Sequence, residues 1–465
     1  MRKPEVRQER RRVVSWLVGL FAFLLISSPV ILADQGPGGG MENTSSADSS
    51  NFLTNTANKI GSGLGRLFGL DNLFSELSPA DVGHKPRVRP HFTFNQGFVS
   101  NARLASNQAD AAWQARIAPG ITVAIPSGKL YTEADYTYAF ATTQGRKTNA
   151  NINTHNLTAL ARYDLSADTV FGVGNNLQFS EVPGTGGDTF VLETATAQVK
   201  HRLSSKLTAN ISDTFQWFND RATSRENDFV DNGVVVGLGY DVNSDLTVGP
   251  TFAWNVRHFD ELSGAVDRKD YWQIQPGVSA GYRLGPKTKL AGNFGWAFRK
   301  FDKGKGSNDT ESELVYGASA THKLGQKLVW DVYYAKTLQD TFDTSFVFKD
   351  TPEVSALDNL DRDYRVMKSH RIGSSATYHL NESNSIGAFG DFQFLDAESK
   401  DRIVHAADLD EKAMEIGARY SFRFNRYITF DVLYAFGRRF TAESGPSGRA
   451  DYTFHKVTGG VNIAV

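Results

Sequence analysis

The sequence predicts an all-β protein, an antiparallel up-and-down transmembrane β-barrel of about 18 strands. Three features carry that reading. The chain holds long runs of period-two alternation, a small turn signature recurs along it, and short connections at one end of the strands face long ones at the other.

The alternation is clearest in residues 272–298. Trp272, Ile274, Pro276, Val278, Ala280 and Tyr282 share one parity, and Gln273, Gln275, Gly277, Ser279 and Gly281 the other. After a break at Leu284-Gly285-Pro286-Lys287, Leu290, Phe294, Trp296 and Phe298 oppose Lys289, Asn293, Ala297 and Arg299. Successive side chains of a strand point to opposite faces, so this is a hairpin with one aromatic-rich face and one polar face. Each half reaches the roughly 9–11 residues that a tilted strand needs to cross a bilayer.

The composition is compatible with this. The 465 residues have a net charge of −1 and no cysteine. That excludes a disulfide framework or a cysteine-ligated metal, and it argues against a nucleic-acid footprint, which would be basic. A mean hydropathy of −0.36 excludes a bundle of apolar membrane helices. It does not exclude a barrel, in which only alternate residues meet lipid.

At the N-terminus, Arg2, Lys3, Arg7, Arg10, Arg11 and Arg12 precede an apolar run from Val13 to Ala33. A basic segment followed by an apolar core is the pattern of an export signal, expected as residues 1–33 with cleavage after Ala33. The alternative is an uncleaved anchor. Residues 34–86 read as a Gly/Ser/Asn-rich linker followed by a short, broken amphipathic helix within 51–80. The barrel is expected over 87–465.

The turn signature is Tyr or His, any residue, an apolar residue, then turn residues, about every 40 residues. It reads Tyr163-Asp164-Leu165-Ser166, His201-Arg202-Leu203-Ser204, Tyr240-Asp241-Val242-Asn243 and Tyr282-Arg283-Leu284-Gly285. It continues as His322-Lys323-Leu324-Gly325, Tyr378-His379-Leu380-Asn381 and Tyr420-Ser421-Phe422-Arg423. Parity puts the aromatic on the apolar face: Tyr240 runs with Val234, Val236 and Leu238. Tyr163, Tyr240, Tyr282, Tyr378 and Tyr420 are therefore expected as an interfacial girdle. Longer polar connections lie at the other strand ends, the longest over 341–363. Its Phe346 and Phe348 make it a candidate constriction, and packing on neighbouring loops is the alternative.

The opposite parity gives the candidate pore lining: Arg116, Glu133, Asp135, Arg162, Arg257, Lys289, Arg299, Asp331, Arg371, Asp391, Arg419 and Asp431. Glu415 and Arg439 share it, as do amides such as Gln273, Asn293 and Gln393. A continuous polar lining signals water inside a barrel. Both signs are mixed, whereas a channel dedicated to an acidic polymer would have a strongly basic lumen. No HExxH, GxSxG or phosphate-loop motif occurs. Neither an enzyme nor a cofactor or metal site is therefore expected.

The hairpin repeats from Tyr163-Asp164-Leu165 to Tyr420-Ser421-Phe422, with the lead-in Leu157-Thr158-Ala159-Leu160-Ala161-Arg162-Tyr163, resemble the putative beta-barrel porin-2 family of bacterial outer membranes. The terminal Thr458-Gly459-Gly460-Val461-Asn462-Ile463-Ala464-Val465 also resembles the signal read by the barrel assembly machinery, with Val465 replacing the usual final aromatic. The family resemblance implies a Gram-negative outer-membrane conduit linked to exopolysaccharide export. Its implied partners are outer-membrane lipids, the assembly machinery, a polysaccharide and a periplasmic export protein. A general diffusion porin and a surface structural or adhesive barrel are the alternatives.

Overall fold

The computed structural model describes residues 86–100, 111–145, 149–181, 189–220, 229–259, 270–301, 310–339, 367–397, 409–441 and 452–465. The expected export signal, the linker and helix, and the 341–363 connection lie outside them.

The described residues form one antiparallel sheet of 18 strands. In chain order these are β1 (Arg87–Val99), β2 (Ala112–Ser127), β3 (Leu130–Gly145), β4 (Asn149–Asp164), β5 (Thr169–Glu181) and β6 (Thr189–Arg202). Next come β7 (Leu207–Asp220), β8 (Phe229–Asp241), β9 (Leu246–Phe259), β10 (Tyr271–Leu284), β11 (Thr288–Phe301) and β12 (Thr310–Leu324). The last six are β13 (Leu328–Gln339), β14 (Met367–His379), β15 (Asn384–Ala397), β16 (Leu409–Arg423), β17 (Ile428–Thr441) and β18 (Tyr452–Ala464). Every strand pairs with its neighbours in sequence, and β1 also pairs with β18, from His91↔Ala464 to Val99↔Lys456. The sheet is thus a closed barrel without a free edge.

Long contacts identify the concave face, because only there can a side chain reach across an intervening strand. His91 of β1 meets Asp135 of β3 at 2.8 Å, and the Tyr333 hydroxyl of β13 donates to Asp391 of β15. Glycines make room for these crossings. A Cβ on Gly373 would lie 2.4 Å from the Tyr333 ring, so this position is closed to larger residues while Tyr333 stays in place.

The other parity forms the outer wall. Val236, Leu238 and Tyr240 of β8, Phe252 and Trp254 of β9, Val278 and Tyr282 of β10, and Phe294, Trp296 and Phe298 of β11 are all exposed there. Water would penalise so continuous an apolar surface, whereas lipid accepts it. Polar pairs interrupt the band. Asn232 donates to Asp213 at 2.9 Å, and Asn175 donates to Glu193 at 2.8 Å.

The structure explains the turn signature. After the apolar residue comes a Ser or Asn whose side chain accepts the backbone N–H groups that close the turn. Asn243 Oδ1 takes those of Asp245 and Leu246, each at 2.8 Å, and Ser204 Oγ takes those of Lys206 and Leu207. Where this side chain is missing, Gly285 and Gly325 adopt positive φ angles of 69° and 68° instead. The final hairpin corrects the sequence frame. There Asn425 Oδ1 accepts from Tyr427 and Ile428, and Phe424 N–H bonds Ile428 C=O. The signature therefore runs Phe422-Arg423-Phe424-Asn425, so that Phe422 stands where Tyr240 stands in β8. Tyr420 lies one pleat further from the turn. Its hydroxyl donates to Asn384 Oδ1 at 2.5 Å.

A second repeat, not evident from the alternation, sits on the outer face. Tyr136 and His155, Tyr334 and His370, and Tyr434 and His455 are hydrogen-bonded at 3.2, 2.8 and 3.0 Å. In each hairpin the histidine lies two residues from the tyrosine's register partner (Leu157, Ile372 or Val457). Each ring satisfies the other's polar atom in a wall that offers few partners.

The two faces predict opposite responses to charge. Phe294→Arg should cost roughly 2–4 kcal/mol, since it sets a cation in the lipid-facing band. Gly281→Arg should cost much less, because it points inward and nothing lies within 4 Å of its Cβ position. Urea unfolding in vesicles of both variants checks this, and equal losses would overturn the facing.

Candidate functional site: the inner face of the barrel

All twelve residues of the expected lining lie on the inward parity, together with Glu415 and Arg439. Closure assembles them into separate networks, which differ between the two ends of the barrel.

Near the turn ends most of the charges are partly solvated, while Asp331 is buried. Asp135 accepts from His91, from Thr122 at 2.6 Å and from Thr137 at 3.0 Å. On the other side of the β1–β18 seam, Asp431 accepts from Arg419 at 2.8 Å, from Ser421 and from Asn462 at 2.9 Å. Asn462 in turn accepts from Thr93 at 2.9 Å, which carries the network across the seam. Glu133 accepts from Tyr131 at 2.5 Å and lies 3.5 Å from Arg89. Arg162 bonds Asp164 at 3.0 Å, and Asp331 accepts from Thr321 at 2.6 Å. Lys289 is exposed, and Arg116 is half-buried on β2.

Halfway up, Arg371 donates through Nε to Asp391 at 2.7 Å, and the same carboxylate accepts from Tyr333. Arg371 is buried by its side-chain surface while Asp391 keeps some exposure. The planar guanidinium suits this two-oxygen contact, and the phenol occupies a remaining acceptor site.

Towards the loop ends the inner face is buried and partly aromatic. Arg257 donates to Asp231 at 2.6 and 2.9 Å, with side-chain exposures of 2% and 0%. Asn255 donates to the same carboxylate at 2.6 Å. Around this pair lie Phe218, Phe229, Phe259, Tyr271 and Phe301. The Arg257 guanidinium stands 4.6 Å from the Phe229 ring centre, and that of Arg299 stands 4.2 Å from the Tyr271 centre. Arg299 also donates to Gln273 at 3.0 Å. A desolvated cation over an aromatic face is held by the ring quadrupole. The expected water-exposed wall is thus polar over much of its parity, but at this end it also carries aromatic rings, and Asp231, Arg257 and Arg299 are packed rather than wet. Sequence reading missed the inward aromatics because it assigned aromatic residues to the lipid face. The available signal was parity: Tyr271 runs with Gln273, and Phe229 with Asp231.

Among the described residues, no three His, Asp or Glu side chains gather in a way that would hold a metal ion.

An apolar outer wall around a polar interior defines the class: a membrane-spanning β-barrel. No family model and no curated protein matches the chain. Among solved structures, it is similar to Pseudomonas aeruginosa OccK5 (OpdH), with 11% identity over 81% of this chain and 98% of that one, at a TM-score of 0.45. It is also similar to Pseudomonas aeruginosa OpdQ, with 11% identity, 82% and 99% coverage, and a TM-score of 0.45. A third is the FrpB iron transporter from Neisseria meningitidis, with 9% identity, 81% and 82% coverage, and a TM-score of 0.47.

The Asp231–Arg257 pair yields a second prediction. Asp231→Asn leaves a buried guanidinium without its carboxylate and should destabilise the barrel by about 3–5 kcal/mol. Arg419→Gln, whose ion pair is 45% exposed on the arginine side, should cost less than about 1 kcal/mol. The unfolding midpoints of the two variants check the order.

Proposed function

We propose that this protein is a channel of the bacterial outer membrane that passes hydrophilic solutes, with its short turns in the periplasm. The observation that supports this reading is a closed 18-stranded wall whose outer face is mostly apolar and whose inner face carries charged and amide side chains. Closed barrels of 16–18 strands are wide enough to leave an aqueous path. A barrel serving only as a surface scaffold would have no need of hydrogen-bonded carboxylates and amides along its interior. We further propose export of a surface polysaccharide as the specific role, with a periplasmic export protein delivering the polymer. This finer reading rests on the resemblance of the hairpin repeats to the porin-2 family and on the many interior amides and hydroxyls, which suit a hydroxyl-rich chain. General solute diffusion is the second reading, supported by the mixed signs of the interior charges.

Planar-bilayer recording tests both levels. The purified protein should give discrete conductance steps, and their absence would favour a scaffold. Neutral polysaccharide added at the turn end should interrupt the current if the path admits a polymer. Uninterrupted current would leave diffusion of small solutes as the role.

A further inference from the structure

Inward charges of both signs occur along the sequence, and the barrel brings some of one sign together. At the turn ends of β10 to β13, Arg283, Lys289 and Lys323 lie on the inner parity, and Lys287 and Lys327 lie in the two turns. From β10 to β12 this end of the wall contains no carboxylate. The nearest acids flank it. Asp241 and Asp245 belong to the preceding hairpin, where they accept from Thr247 and Ser244 and where Asp245 C=O accepts the Arg283 N–H; Asp331 on β13 stands level with Lys289 across Thr321, from whose hydroxyl it accepts. Among the described residues, Arg283, Lys287, Lys289 and Lys327 form no ion pair, and all four are exposed.

The register sharpens the point. Arg283 and Lys289 are direct cross-strand partners on the same face of one hairpin. Directly opposed side chains have Cβ atoms about 4.5–5.5 Å apart, and like charges in such a pair repel. A purely structural role would be served better by an opposite-charge pair here, as Asp391 serves Arg371 further up the wall. An oxyanion between the two cations removes the repulsion and receives charge-assisted hydrogen bonds. Strands lie about 4.8 Å apart, so the cations from β10 to β13 spread over about 14 Å. That is too wide for one small anion and suits a chain carrying several.

We propose that the turn-end mouth at β10–β13 is a docking site for a polyanion, a water-soluble polymer bearing carboxylate, sulfate or phosphate groups, with the Arg283–Lys289 pair as its anchor. The inference deepens the channel reading and rests on it for the ligand's onward passage, but binding itself needs no conductance. Because Arg283 and Lys289 point into the lumen, the ligand reaches them from the water-filled mouth and not from the bilayer.

The test uses the full chain in detergent micelles and fluorescently labelled polygalacturonate as probe. Wild-type protein should bind it at about 0.02 M salt and much more weakly at about 0.3 M, where screening is short-ranged. Lys289→Glu should lower affinity at least tenfold. The same change should raise the thermal unfolding midpoint, because it turns a repulsive pair into an attractive one, so lost binding cannot be ascribed to failed folding. As a control, Lys300→Gln combined with Arg438→Gln removes two exposed outer-wall cations and should change affinity less than twofold. Unchanged binding in Lys289→Glu, or an equal loss in the control, overturns the proposal. A loss seen only with phosphatidylglycerol vesicles would assign the cations to lipid headgroups and also overturn it. A protein that binds polygalacturonate through Lys289 yet shows no conductance would keep the site and remove the channel.

Discussion

The pairing of β1 with β18 is the constraint on which the other features depend. Without it, the sheet would present two long edges of unpaired N–H and C=O groups, each costly in a membrane where water cannot satisfy them. The seam joins residues almost at opposite ends of the barrel sequence, Phe92 to Ile463 and Phe94 to Val461. Its chain entropy cost is therefore the largest of any pairing in the fold. Side chains reinforce it. Thr93, Asn462, Asp431 and Arg419 form a hydrogen-bonded path from β1 to β16. From the same strand, His91 reaches Asp135 on β3.

Once the sheet closes, each strand's two faces acquire different solvents. Lipid outside rewards Leu238, Trp254 and Phe294. The interior instead requires that each carboxylate find donors, and three of them show how this is done. Asp135 uses hydroxyls and a histidine, Asp391 a guanidinium and a phenol, and Asp231 a guanidinium and an amide. The more exposed Asp135 is held by hydroxyls and an imidazole, whereas the fully buried Asp231 is matched by a buried Arg257. The inward rings of Phe229 and Tyr271 then take up the remaining field of Arg257 and Arg299. The arc at β10–β13 departs from this rule, because Arg283 and Lys289 oppose each other as like charges and form no ion pair among the described residues.

Much of this was legible without coordinates. The strand number, the facing of every candidate lining residue and the outward position of Tyr163, Tyr240, Tyr282 and Tyr378 follow from period-two alternation, which depends only on backbone geometry. The turn signature was legible as a pattern, while its cause was not. Nothing in the letters alone shows that Asn243 and Ser204 accept the N–H groups that close their turns. The misplaced frame at Tyr420 has the same origin. A Tyr-x-apolar triplet occurs there by chance, and only the Asn425 turn shows which residue is last on the strand.

Partnership was beyond the sequence's reach. Parity places Asp391 inside but cannot say that Arg371, twenty positions earlier, faces it along a diagonal of the wall. Nor can it say that Tyr333 arrives from two strands away over a glycine. The three outer Tyr–His pairs depend on the register between neighbouring strands, and a shift by one residue would separate them. The sequence by itself therefore determined which side of the wall each residue occupies, because that is a local property of an extended backbone. Only the tertiary structure decided which charges meet and which are buried, because those depend on the stagger between paired strands and on closure of the wall.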